Sequence, residues 1–123
     1  MRNERRLRRQ ADFAAVRRRG RSWADGLLVL LARRNSLDVT RFGFSVGKRT
    51  GNAVVRNRIK RRLREAVLDL PVQEGWDLVL IARKDAASAD YHGLSRSSTA
   101  LLRRAGILAA RRRSDPRSPN TKK

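Results

Sequence analysis

The chain has 123 residues and a mass of 14.0 kDa, the size of one domain. Thirty-one Lys and Arg face 11 Asp and Glu, a formal net charge of +20. The absence of Cys excludes disulfides and thiolate metal sites and fits a reducing compartment. No apolar run reaches the ~18–20 residues of a membrane span, and no apolar signal core follows the basic N-terminus. The expectation is a cytoplasmic protein with one domain over residues 1–110.

Basic residues are concentrated in three stretches. Residues 1–21 hold nine Arg, residues 48–64 hold eight Lys and Arg without an acid, and residues 111–123 hold six among Ser, Pro and Asn. The last reads as a basic disordered tail. Self-repulsion on this scale opposes compaction, and a polyanion relieves it. Nucleic acid fits that role best, and an anionic membrane surface comes second.

Ala11, Phe13, Ala14, Ala15 and Val16 suggest a short helix stopping at Gly20. The apolar run 27–32 has strand length and reads as a buried strand. Phe42, Phe44 and Val46 alternate with small residues, as in a half-buried strand. Val55, Ile59, Leu63, Ala66, Val67 and Leu70 step by three or four, which predicts a helix over residues 53–70 ended by Pro71. Residues 78–82 form a third strand. A last helix begins after Asp90, a good N-cap, with Leu94, Leu101, Leu102 and Ala105 on one face. The order α-β-β-α-β-α makes a small α+β sandwich around a central sheet.

The helix over 53–70 carries the strongest functional signal. Asn57, Arg61 and Arg64 project away from the apolar stripe, flanked by Arg58 and Lys60, and Arg58 and Arg62 form a further i,i+4 pair. Glu65 is placed to pair with Arg61; the other cations have no acid on this helix. Arg presents a rigid fork of donors to phosphate, so this face suits RNA or DNA. Just upstream, Gly47 and Gly51 bracket Lys48 and Arg49 at a helix start, where free N–H groups favour anions. The spacing does not match a Walker loop. Phe13, among Arg residues, is either a base-stacking platform or core. A metal site built on Asp85, Asp90 and His92 is the weaker reading; a loop and an N-cap is the simpler one. The acids are scattered, so a two-metal nuclease centre has no evident ligands.

The segment from Arg56 to Glu65, preceded by Gly51-Asn52-Ala53-Val54-Val55, resembles the signature of the bacterial ribonuclease P protein component. Asp12-Phe13, the stretch from Phe42 to Arg49, and Ile81-Ala82-Arg83-Lys84 are similar to other parts of that family in order and spacing. The resemblance spans roughly residues 5–105. It implies a protein that binds a large catalytic RNA, the holoenzyme removing the 5′ leader of precursor tRNA. The RNA would carry the chemistry and use Mg²⁺, with no metal held tightly by the protein alone. It further implies a left-handed crossover after the second strand, where general topology favours the right hand. By the same resemblance, Arg56, Asn57, Arg58, Lys60, Arg61 and Arg64 would contact the catalytic RNA. Phe13, Arg17, Lys48, Arg49, Arg83 and Lys84 would line the leader cleft, between the first helix and the sheet. The protein would be a monomer within the ribonucleoprotein. Arg17 and Leu31 stand where relatives often carry aromatics, and Asp85 where a small residue or proline is common; ionic contact would then replace some base stacking. The rival readings are a ribosomal-type RNA binder and an autonomous metal-dependent nuclease.

Overall fold

The computed structural model describes residues 5–109; the tail expected over 111–123 lies outside the described residues. The chain runs α1 (Gln10–Arg19), β1 (Arg21–Ala24), β2 (Leu28–Arg34), β3 (Arg41–Val46), α2 (Ala53–Leu68), β4 (Trp76–Ala82) and α3 (Tyr91–Arg104), with 3-10 turns at Lys48–Thr50 and Lys84–Ser88. The class is α+β, as expected, but the sheet has four strands where the sequence suggested three. The added strand is β1, Arg-Ser-Trp-Ala, whose residues are exposed except for a half-buried Trp23. It is a short, charged edge strand, the kind that resists pairing with other chains and carries no apolar run.

The strands lie in the order β1-β2-β4-β3. β1 and β4 each pair antiparallel with β2, while β3 and β4 run parallel and are joined through α2. Successive side chains on a strand point to opposite faces, so each face is read directly from burial. On one face Leu28, Leu30, Phe42, Leu78 and Leu80 meet Ile59 and Leu63 of α2 and Leu94, Leu101 and Leu102 of α3. This is the main core, and the α2 stripe enters it with the predicted spacing.

Both covering helices are capped by side chains. Asn52 accepts the Val55 N–H at 3.0 Å at the start of α2, and Asp90 accepts the Gly93 N–H at 2.8 Å at the start of α3. α2 ends at Leu68, two residues before the expected limit. Leu70 nevertheless folds back against the core.

The other face is covered by α1 alone. Leu7, Val16 and Val79 are buried there, and Phe13, Leu31 and Ile81 pack around them. An ionic clamp supplements this small cluster. Arg41 on β3 holds the buried Asp77 carboxylate in two bonds of 2.8 and 2.7 Å, Asn35 donates to the same group at 2.9 Å, and Asp12 of α1 lies 3.6 Å from Arg41. Gly20 does end α1, but with an extended φ of −80°. Its glycine is required because a Cβ there would lie 2.4 Å from the Val16 carbonyl oxygen and 2.9 Å from that of Ala32.

Candidate nucleic-acid interface

α2 offers its outer face to solvent because its stripe is consumed by the core. Asn57 and Arg61 are exposed; Arg56, Arg58, Lys60 and Arg64 are half-buried along their stems. Among the described residues none of these cations has a carboxylate partner. The expected pair between Arg61 and Glu65 is not formed. Its order, cation before acid, is the weaker arrangement on a helix, and both side chains are exposed. Arg56 and Arg58 each bury Nε without an acceptor. A desolvated guanidinium nitrogen lacking a partner is costly, and Arg56 and Arg58, two residues apart, place one such group on each flank of α2. Arg62 behaves differently: it donates to the Ala89 carbonyl at 2.9 Å and ties α2 to the start of α3. The i,i+4 pairing with Arg58 therefore does not place both on the outer face.

A second basic region lies between α1 and β3. α1 packs over β2 and β4, leaving Gly43 and Ser45 of β3 beside its flank. The Phe13 ring lies over Gly43 so closely that a Cβ there would meet Cε1 and Cζ at 2.6 Å. Arg17 reaches across to within 3.5 Å of Ser45 Oγ. Phe13 and Arg17 line a hollow of about 460 Å³ with Arg8, Gln10 and Ala14. One side of Phe13 joins the small core and the other lines the hollow.

The remaining basic residues gather where the parallel strands end. Lys48 and Arg49 form the turn after β3, and Lys84 opens the turn after β4; the two turns touch. All three side chains are exposed. Arg83 is also exposed but is turned toward the β1–β2 connection, donating to the Asp25 carbonyl at 2.9 Å. With Lys84 it borders an open hollow of about 600 Å³ lined also by Asp25 and Asp85. Burial alone would raise the Asp25 carboxyl, but bonds from the Ser97 hydroxyl and the Leu28 and Leu27 N–H groups outweigh it and hold it below the ordinary carboxylate range. The structure therefore brings Lys48, Arg49 and Lys84 together, places Phe13 and Arg17 on the α1 flank, and sets Arg83 apart from both.

The sequence profile of the ribonuclease P family matches residues 1–106. The chain belongs to the bacterial ribonuclease P protein family. It is 47% identical over 106 residues to the ribonuclease P protein component of Roseiflexus castenholzii, covering 84% of this chain and 87% of that protein. It is also similar to the RNase P protein of Staphylococcus aureus, with a TM-score of 0.78 at 31% identity over 85% of this chain and 98% of that one. The RNase P protein of Thermotoga maritima, solved in complex with a fluorophenyl thiourea, gives a TM-score of 0.74 at 32% identity, covering 80% and 98%. A ribonuclease P protein component is a subunit of a ribonucleoprotein endoribonuclease, and membership implies an RNA partner.

Within this family framework the acids have identifiable structural tasks. Asp77 and Asp12 face Arg41, Asp25 organises the β1–β2 turn, and Asp90 caps α3. His92 packs edge-on against Tyr91. Among the described residues no three His, Asp or Glu gather as metal ligands, and no helix is long and apolar enough to cross a membrane. Sequence reasoning overlooked Gly43, Ser45, Arg8 and Gln10 as neighbours of the α1 hollow. The close approach of Phe13 to Gly43 depends on a strand 30 residues away, which local pattern does not reveal.

Proposed function

We propose that this chain binds the catalytic RNA of ribonuclease P through Arg56, Asn57, Arg58, Lys60, Arg61 and Arg64, and holds the 5′ leader of precursor tRNA in the cleft between α1 and the sheet. The observation that carries the reading is the pair of buried, acceptorless Nε groups on Arg56 and Arg58, on a helix whose outer cations have no carboxylate partner among the described residues. RNA phosphates supply the missing negative charge, and the guanidinium fork suits them. In the cleft, Phe13 offers a ring face to a base while Arg17, Lys48, Arg49 and Lys84 meet phosphates along its length; Arg83, turned toward the β1–β2 connection, lies to one side.

The chain would act as one copy in a cytoplasmic ribonucleoprotein whose RNA holds the Mg²⁺ ions and performs the cleavage. The structural engagement of Asp12, Asp25, Asp77 and Asp90 supports this division of labour. The protein's cations would offset repulsion between two polyanions, a task otherwise left to Mg²⁺. Reconstitution with a bacterial ribonuclease P RNA and precursor tRNA tests the reading. The expected result is cleavage at the leader–tRNA junction that the protein promotes most at low Mg²⁺, with no cleavage by the protein alone. Metal-dependent cleavage without the RNA, or tight binding with no effect at low Mg²⁺, would overturn it.

A further inference from the structure

Both tryptophans of the chain lie outside the surfaces described above, and each is covered by an arginine. The Arg21 guanidinium sits 5.5 Å from the Trp23 ring centroid, and that of Arg34 sits 5.0 Å from Trp76. The strand register joins these pairs into one row. Trp23 opposes Leu30 and Arg21 opposes Ala32, while Arg34, two residues beyond Ala32, opposes Trp76. Alternation puts all four side chains on the α3 face, and Arg21 and Arg34 are diagonal neighbours across β1 and β2. The row therefore reads Trp23, Arg21, Arg34, Trp76 from the edge strand inward.

Its position separates it from the proposed RNA and leader sites. It is on the opposite face from α1. It also lies at the end of the sheet where β2 finishes and β4 begins, whereas Lys48, Arg49, Lys84 and the first turn of α2 follow the ends of β3 and β4. Arg21 and Arg34 are exposed, and neither has a carboxylate partner among the described residues.

We propose that this row is a second nucleic-acid surface, specific for unpaired RNA. An arginine over an indole is restrained beside a π face while its donors remain available to phosphate. Alternating cations and π faces match the needs of a single strand, whose bases stack while its phosphates are neutralised. A lipid surface fits less well, because the large exposed apolar side chains, Leu37, Val54, Leu68 and Tyr91, are not in the row. The inference goes beyond the function proposed above and uses neither α2 nor the leader cleft.

Because Trp23 and Trp76 are the two tryptophans of the chain, their fluorescence reports on the row alone. The full chain should be titrated with a 12-nucleotide oligoadenylate and, separately, with phosphatidylserine-containing vesicles. Saturable quenching by the oligonucleotide and none by the vesicles is expected. The quenching should persist in Arg58→Gln/Arg61→Gln, which weakens the α2 surface. In Arg21→Gln/Arg34→Gln the quenching should require at least ten times more oligonucleotide, and the log K against log salt slope should flatten by about 1.4, or roughly 0.7 for each phosphate lost on a single strand. Arg21→Lys/Arg34→Lys keeps the charge and loses the planar stack; it should weaken quenching with little change in slope, and it decides the matter if the Gln variant fails to fold. Quenching unaffected by both row variants, quenching abolished by the α2 variant alone, or quenching by vesicles only would each overturn the proposal. None of these outcomes touches the reconstitution test of the ribonuclease P reading.

Discussion

The two faces of the sheet are built in different ways. Under α2 and α3, a continuous apolar core contains ten fully buried large side chains drawn from β2, β4, both helices and Ile107. Under α1, three buried residues are supplemented by the Arg41–Asp77 pair and Asp12. The first face holds the domain together. The second is a thin contact that leaves room beside β3 for a ligand, so the same helix that closes the fold also forms one wall of the cleft. Stability and binding are therefore expected to separate by face.

The largest effect is expected on the thick face. Leu80→Ala removes a fully buried side chain and should lower stability by ~2–5 kcal/mol, read from a denaturant midpoint. At a temperature where the variant is folded, affinity for the catalytic RNA should be unchanged. A selective loss of RNA affinity with full stability would erase the distinction between the faces.

Phe13→Ala should act on both properties, because the ring is shared between the α1 cluster and the hollow. A half-buried ring is worth about 1–2 kcal/mol of burial, less than a core residue. Affinity for precursor tRNA should fall while affinity for mature tRNA holds. Gly43→Ala should mimic the binding loss by displacing the ring from β3. Equal losses for precursor and mature tRNA would remove Phe13 from the leader cleft.

A contact beside the end of α2 should weaken in acid. The bond from Arg5 holds the Glu74 carboxyl below its ordinary range, and the Thr40 N–H adds to this. A depressed carboxylate stabilises the fold above its unfolded pKa, roughly 4.3, and that contribution is lost as pH falls through the folded value. The pair is exposed, so the effect is expected below about 1 kcal/mol. Urea midpoints from pH 6 to pH 3 should fall less steeply in Glu74→Gln than in the wild type; parallel curves would show that the bond contributes nothing.

What the sequence disclosed follows the same division. The core face was legible because its residues repeat at strand or helix spacing: 28, 30 and 32, or 59, 63 and 67. β1 was not legible, since Trp23 is its one large apolar residue and the rest is polar edge. The outer cations of α2 could be named from the stripe, but not the separate task of Arg62, whose acceptor lies 27 residues away. The clamp of Arg41 on Asp77 spans 36 residues and unites two strands that are distant in sequence, so no local pattern announces it. The Trp–Arg row escaped for the same reason: it exists only through the register of three strands.

The smallest effect on stability is expected at the outer face of α2. Arg58→Ala/Arg61→Ala leaves the buried stripe of Ile59, Leu63 and Val67 intact, and neither side chain has an ionic partner among the described residues to lose. Alanine is the better helix former, and removing two like charges from a domain of net charge +20 relieves repulsion. The melting temperature should therefore stay constant or rise. Binding should respond in the opposite sense. If each guanidinium neutralises one RNA phosphate, each loss flattens the log K against log salt slope by roughly 0.7–0.9, so the double variant binds weakly at low salt and converges on the wild type as salt rises. A charge acting only at long range would weaken binding without changing the slope by that amount. A stable double variant with an unaltered slope would thus remove the phosphate clamp from α2, while a flattened slope at full stability would establish a face that serves binding and not the fold.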